Sequence, residues 1–220
     1  MELSIFDVLG PVMIGPSSSH TAGAAKLGRV AALIANIPFD YVRFGWSGSF
    51  ASTGFGHGTD KALLAGVLGL REDDERMRKV ASLAALRGVQ AEYVEEELDG
   101  HENSVHICFR HPEWGAKEVW GSSIGGGRIV INRIGDFETT ITAESPTLVV
   151  RHMDRPGVIS QVSQVLAAEG INIAVLRLSR QARGKDASAV FELDSAISPS
   201  VVGEMEKIQH VTEVIPIDVS

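Results

Sequence analysis

Apolar and polar positions change their spacing near residue 145, and the two stretches predict different kinds of structure. From there to the end the pattern reads β-α-β-β-α-β. Residues 147–152 form an apolar run of strand length. After a turn at Asp154-Arg155-Pro156-Gly157, the positions Val158, Ile159, Val162, Val165 and Leu166 recur at helical spacing, and Gly170 stops that helix. Residues 171–179 and 188–194 alternate as strands around Gly184-Lys185-Asp186. Pro199 opens a second helix at a favoured first-turn position, and a strand over 211–219 closes the sheet. Two β-α-β halves of this kind predict a split, ferredoxin-like sandwich.

The earlier stretch is less regular. It predicts helices over 21–37, 59–70 and 73–86, and strands over 40–45, 90–97 and 104–109. A two-stranded stretch follows over 128–142, with Gly135-Asp136 between its runs. Mixed short strands and helices indicate an α/β or α+β domain. Ser145-Pro146 is a turn-type dipeptide, so the expected domains are 1–144 and 147–220.

Composition narrows the class. The chain has 220 residues, 44% hydrophobic and 22% charged, which is enough for a sizeable core and unlike a disordered chain. The net charge is −8 and no segment concentrates Lys or Arg, which argues against nucleic acid as a partner. No window approaches the apolar length that crosses a membrane, and residues 1–15 lack the basic flank of a leader, so a cytoplasmic chain is expected. The single cysteine, Cys108, sits in the alternating run Val105 to Arg110 and reads as a structural thiol. One thiol by itself holds neither a structural zinc nor an iron–sulfur cluster.

Four segments carry candidate chemistry. Gly15-Pro16-Ser17-Ser18-Ser19-His20-Thr21 gathers hydroxyls and an imidazole at a helix start, where free N–H groups and the dipole favour a carboxylate or phosphate. Gly54-Phe55-Gly56-His57-Gly58-Thr59-Asp60 reads as a Gly-rich turn before the next helix, with His57 suited to proton transfer near neutral pH. His101-Glu102-Asn103 and Ser123-Ile124-Gly125-Gly126-Gly127 are weaker alone, as a polar turn and a hinge or bulge. His106 and His111 receive no role.

Together these segments resemble the signature segments of the β-subunit, or β-domain, of bacterial iron–sulfur-dependent L-serine dehydratase. The resemblance spans essentially the whole chain, and Ser-Ser-Ser-His-Thr is its most specific part. That family usually shows His-Pro-Asn where this chain has His101-Glu102-Asn103. The resemblance implies conversion of L-serine to pyruvate and ammonia on a [4Fe–4S] cluster that needs three cysteine ligands. With Cys108 alone here, the cluster would be ligated by a cysteine-bearing partner α-subunit, with no metal ligand in this chain. It further implies His20 and His57 as catalytic groups, and Ser17, Ser18, Ser19, Thr21, Thr59, Asp60 and Asn103 as substrate-binding residues.

The tail resembles an ACT domain, a regulatory module that commonly binds small amino acids, through Asp154-Arg155-Pro156-Gly157 and Gly170-Ile171-Asn172-Ile173. Serine-binding ACT domains of the phosphoglycerate dehydrogenase type use a His and an Asn before Arg-Pro-Gly and an Asn after Gly-x. His152 and Asn172 match, while Asp154 replaces the first Asn. The resemblance implies effector binding at His152, Asp154 and Asn172 across a pair of ACT domains, hence a homodimeric contact. Two other readings compete: a stand-alone amino-acid sensor without catalysis, and a Ser/His hydrolase. The hydrolase lacks a Gly-x-Ser-x-Gly elbow.

Overall fold

A computed structural model describes residues 13–219. Residues 1–12 and 220 lie outside the described residues, and with them most of the stretch in which no leader is expected. The chain forms two compact units, Met1–Gly135 and Asp136–Ser220.

In the first unit a π-helical turn, Ser18–Gly23, leads into α1, Ala24–Ala35. Then follow β1 (Tyr41–Trp46), α2 (Gly48–His57), α3 (Thr59–Val67), a 3₁₀ turn (Glu75–Lys79) and α4 (Val80–Leu86). The strands β2 (Gln90–Glu95), β3 (Ser104–His111), β4 (Gly115–Gly125) and β5 (Arg128–Ile134) complete it. The sheet order is β2-β1-β3-β4-β5, with β2 parallel to β1 and the other neighbours antiparallel.

Helix α1 buries Leu27, Val30, Ala31 and Ile34 and packs on β3, β4 and β5. It stops where Asn36 takes the left-handed conformation, two residues before Pro38. Its close neighbour is α3. A Cβ on Gly66 would stand 2.1 Å from the Ala25 carbonyl oxygen, and one on Gly28 would stand 2.5 Å from that of Leu63. The two backbones therefore touch, and only glycine fits between them.

Several local expectations change. The helix expected over 21–37 is shorter, because Ser17 to Gly23 winds as a wider turn. The segment expected as a Gly-rich turn, Gly54 to His57, is the last turn of α2, and Gly58 alone, at φ +74°, breaks the chain before α3. The helix expected over 73–86 is two pieces, since Asp74 caps a 3₁₀ turn by accepting from the Arg76 N–H. Both faces of β3 are buried from Val105 to Phe109, so Cys108 is enclosed despite its place in an alternating run.

The second unit contains β6 (Phe137–Ile141), β7 (Thr147–Met153), α5 (Val158–Ala168), β8 (Ile173–Arg180), β9 (Asp186–Leu193), α6 (Pro199–Met205) and β10 (Val211–Ile217). Its antiparallel sheet runs β10-β7-β9-β8, the ferredoxin-like order. The core joins Leu148 and Val150, Val162 and Leu166, Ala189 and Phe191, and Val201 and Met205. Ser198 caps α6 by accepting from the Val201 N–H, with Pro199 in the first turn. The mixed α/β class and the βαββαβ tail are as expected. The division falls at Gly135 and Asp136, so β6 counts with the second unit.

Candidate active site

The four polar segments, far apart in sequence, meet in the first unit. The Ser17 hydroxyl caps the π turn by accepting from the His20 N–H at 3.2 Å. Widened helical turns concentrate at functional sites, because they push side chains off the regular helical positions. Here the turn places the His20 ring over the start of α2. His20 Nε2 lies 3.1 Å from Ser49 Oγ and 3.1 Å from Thr53 Oγ1, and Nδ1 lies 3.4 Å from Ser17 Oγ. The ring meets Phe50 edge-on and the His57 ring at 4.9 Å.

The other two segments are tied to the same place. Ser123 donates to the Ser19 carbonyl at 3.0 Å, and the Ser123 N–H donates to the Asn103 carbonyl. The Ser49 N–H donates to the Glu102 carbonyl at 2.7 Å, and the Ser47 N–H to that of Ser104. Gly48, at φ +56°, has no room for a side chain, since a Cβ would come 2.8 Å from the Glu102 Cα. The loop 101–103 is itself braced by the Asn103 N–H on His101 Nδ1 and by the paired, buried hydroxyls of Ser104 and Ser122. The same loop lines an open cavity of about 440 Å³ with Ser47, Gly48, Glu95 and Glu96. Its carboxylates make that cavity unsuited to an anion.

The electrostatics favour a neutral imidazole. Burial holds the His20 pKa below its ordinary 6.5, and His57 nearby acts in the same direction, against the Ser49 backbone and Glu102. Asp60, in the first turn of α3, is pushed above the usual carboxylate range by burial. Buried oxygens of Thr21, Thr59, Asp60 and Asn103 have no hydrogen-bond partner among the described residues. Such oxygens are rare inside proteins and mark places where water or a polar ligand completes the bonding.

Ser17, Ser19, His20, His57, Asn103 and Ser123 are thus brought together. Ser18 and Thr21 lie in the same turn; Thr21 and Thr59 are buried, at 2% and 0% exposure. Sequence reasoning missed Ser49 and Thr53. The available signal was Ser47-Gly48-Ser49 directly after an apolar strand, a strand-to-helix corner rich in hydroxyls. His106, given no role, stacks on Trp120 at 4.1 Å and pairs with Glu96 at 3.0 Å, a bracing contact on the sheet.

In the second unit His152 is buried, with Nδ1 on the Met153 carbonyl and Nε2 unpartnered among the described residues. Asp154 accepts from the Gly184 N–H and from Arg180, which hold its carboxyl below the usual range. Asn172 donates to Asp194 at 2.8 Å.

Fold and site together define a two-unit chain, with a histidine-centred polar site in the first unit and a small ferredoxin-like sandwich as the second. The serine dehydratase beta chain family matches residues 4–94, and the ACT domain family matches residues 146–210. The chain is 38% identical over 215 residues to the probable L-serine dehydratase, beta chain, of Bacillus subtilis, covering 97% of each. It is 36% identical over 213 residues to the L-serine dehydratase, beta chain, of Peptoniphilus asaccharolyticus, covering 96% of each. A partial similarity, 28% over 89 residues, links it to D-3-phosphoglycerate dehydrogenase of Methanocaldococcus jannaschii, covering 40% of this chain and 17% of that one. The chain belongs to the serine dehydratase beta chain family and carries a C-terminal ACT domain. Among the described residues no helix is long and apolar enough to cross a membrane.

Proposed function

We propose that this chain is the β-subunit of a cytoplasmic L-serine dehydratase and completes the active site of a cysteine-bearing α-subunit. The convergence of four polar segments on His20, in a chain nearly the full length of two named dehydratase beta chains, carries this reading. Serine loses its α-proton and its β-hydroxyl as one water. The enamine left behind tautomerises to an imine, and a second water hydrolyses it to pyruvate and ammonia.

This chain's own donors do not fit an iron–sulfur cluster. Cys108 is enclosed in β3, and the described residues hold no cluster of three His, Cys, Asp or Glu able to grip a metal. In this reading the [4Fe–4S] cluster belongs to the α-subunit, where its iron would supply Lewis acidity toward the departing hydroxyl. The residues of this chain bind and orient. Ser17, Ser18 and Ser19 offer hydroxyls to the serine carboxylate at the π turn, and Thr21 adds its unpartnered hydroxyl. Thr59, Asp60 and Asn103 present buried oxygens that a substrate ammonium or an ordered water would satisfy. His20, neutral at physiological pH, is placed to take a proton, with His57 beside it as the relay.

In the same reading the ACT domain binds a small L-amino acid, most simply serine, through His152, Asp154 and Asn172. It also pairs with a second copy along β8, an edge strand whose Leu176 and Leu178 are 43% and 55% exposed. The test is anaerobic reconstitution of the full chain with a three-cysteine α-subunit. Brown cluster absorbance and serine-dependent pyruvate are expected from the mixture, and neither from this chain alone. Pyruvate from this chain alone, or none from a cluster-loaded mixture, would overturn the reading; the latter with amino-acid binding retained would leave a sensor.

A further inference from the structure

The partners of His20 determine which of its ring nitrogens carries the hydrogen. Thr53 Oγ1 lies 2.8 Å from the Ser49 carbonyl oxygen, which only accepts, so the Thr53 hydroxyl hydrogen is committed to that bond. A threonine back-bonding to the carbonyl four residues earlier is a common arrangement on a helix. The same Oγ1 lies 3.1 Å from His20 Nε2. With its hydrogen spent, Oγ1 can only accept there, so Nε2 must donate. Ser49 Oγ, also 3.1 Å from Nε2, shares that hydrogen as a second acceptor. On the other side of the ring, Ser17 Oγ already accepts from the His20 N–H and turns its own hydrogen toward Nδ1 at 3.4 Å. That contact is long and weak, hence readily replaced.

We propose that Ser49 and Thr53 are positioning residues that hold His20 as the Nε2–H tautomer, leaving Nδ1, beside Ser17, as the basic atom. A proton taken from substrate would then arrive at Nδ1, displacing the weak Ser17 bond. The resulting imidazolium would stay anchored through Nε2–H on Thr53 and Ser49. The tautomer stands on geometry alone; its catalytic consequence rests on the reading of His20 as a proton-transfer group.

The test reads the ring nitrogens of His20 directly, by long-range ¹H–¹⁵N correlation on the full-length chain at pH 8, assigned against His20→Ala. The expected wild-type pattern is a protonated, pyrrole-type Nε2 and a bare, pyridine-type Nδ1. Thr53→Ser should keep it. Thr53→Val combined with Ser49→Ala should give mixed or inverted tautomers. In the reconstituted complex that double variant should lose about tenfold in kcat with little change in KM, and Thr53→Ser should restore the rate. A pyridine-type Nε2 in the wild type, or an unaltered tautomer in the double variant, overturns the proposal. A changed tautomer with unchanged kcat confirms the positioning role and removes His20 from proton transfer, so the two readings fail separately.

Discussion

The Ser123 hydroxyl donates to the Ser19 carbonyl at 3.0 Å, a bond that joins residues 104 positions apart and pins the π turn to the end of β4. The approach is so close that Gly23, the last residue of the turn, has no room for a side chain: a Cβ there would fall 2.0 Å from Ser123 Oγ. Gly23→Ala should therefore destabilise the chain by about 1–3 kcal/mol, the usual cost of overpacking. Ser123→Ala removes the clashing oxygen and the bond together, so the double variant should be more stable than the sum of the two losses predicts. Urea denaturation of the four chains measures this coupling. A neutral Gly23→Ala would show that the turn is not pinned.

His20→Ala or His57→Ala, assayed with the α-subunit, should each cut turnover by roughly 10² or more if each moves a proton. Ser17→Ala, Ser18→Ala and Ser19→Ala should act partly on KM, because carboxylate hydrogen bonds form in the ground state as well. Size-exclusion chromatography checks that the complex still assembles. Near-wild-type rates in both histidine variants would reduce the rings to packing, His20 against Phe50 and the two rings against each other.

The pH dependence follows from the direction of the His20 shift. Its pKa lies below 6.5, with burial as the largest cause and His57 adding to it. The neutral ring thus persists to lower pH than an ordinary imidazole would, and if His20 takes the proton the acid limb of kcat/KM should fall below 6.5. His57→Gln removes the like charge, so the limb should move up toward the ordinary value as the residual rate allows. Linkage gives the same sign for stability. Below pH 6.5 the unfolded chain binds the proton more readily than the folded one, so this group's contribution to unfolding free energy declines on acidification until the lower folded pKa is passed. A limb that stays in place in His57→Gln would exclude the interaction.

The two units differ in how legible they were. In the ACT domain each burial period coincides with an element: Val158, Val162 and Leu166 line the buried stripe of α5, Gly170 ends it at φ +70°, and Pro199 starts α6. Local signal and tertiary need agree there. Helix α2 shows the opposite case. Three glycines and four Ser, Thr or Ala positions leave it without an apolar stripe, and only Phe50 and Gly54 are buried. Its start is held instead by the Ser104 and Glu102 carbonyls, partners more than fifty residues away in sequence. The hydroxyls that matter most to His20, those of Ser49 and Thr53, sit on this helix, which is why they escaped notice. The segments around Ser17, His57, Asn103 and Ser123 stood out by composition, but their meeting depends on the β1-β3-β4 register, which no local pattern encodes.

Gly184 and Arg180 keep the Asp154 carboxyl ionised, so it can receive an ammonium but repels a carboxylate. His152 spends Nδ1–H on the Met153 carbonyl, which leaves Nε2 as an acceptor. Both groups therefore suit the ammonium end of an amino acid, and the carboxylate end needs a donor. Asn172 supplies one through its amide, now engaged with Asp194, and that bond must be exchanged for the ligand. Titration calorimetry of the full chain with L-serine should detect binding in the millimolar range or tighter. Asn172→Ala should weaken it by about tenfold, the worth of one good hydrogen bond. Asp154→Asn should weaken the ammonium contact while relaxing discrimination against acidic amino acids. No heat at millimolar serine, together with unchanged kinetics of the Asn172→Ala complex, would leave the domain a structural dimerisation module.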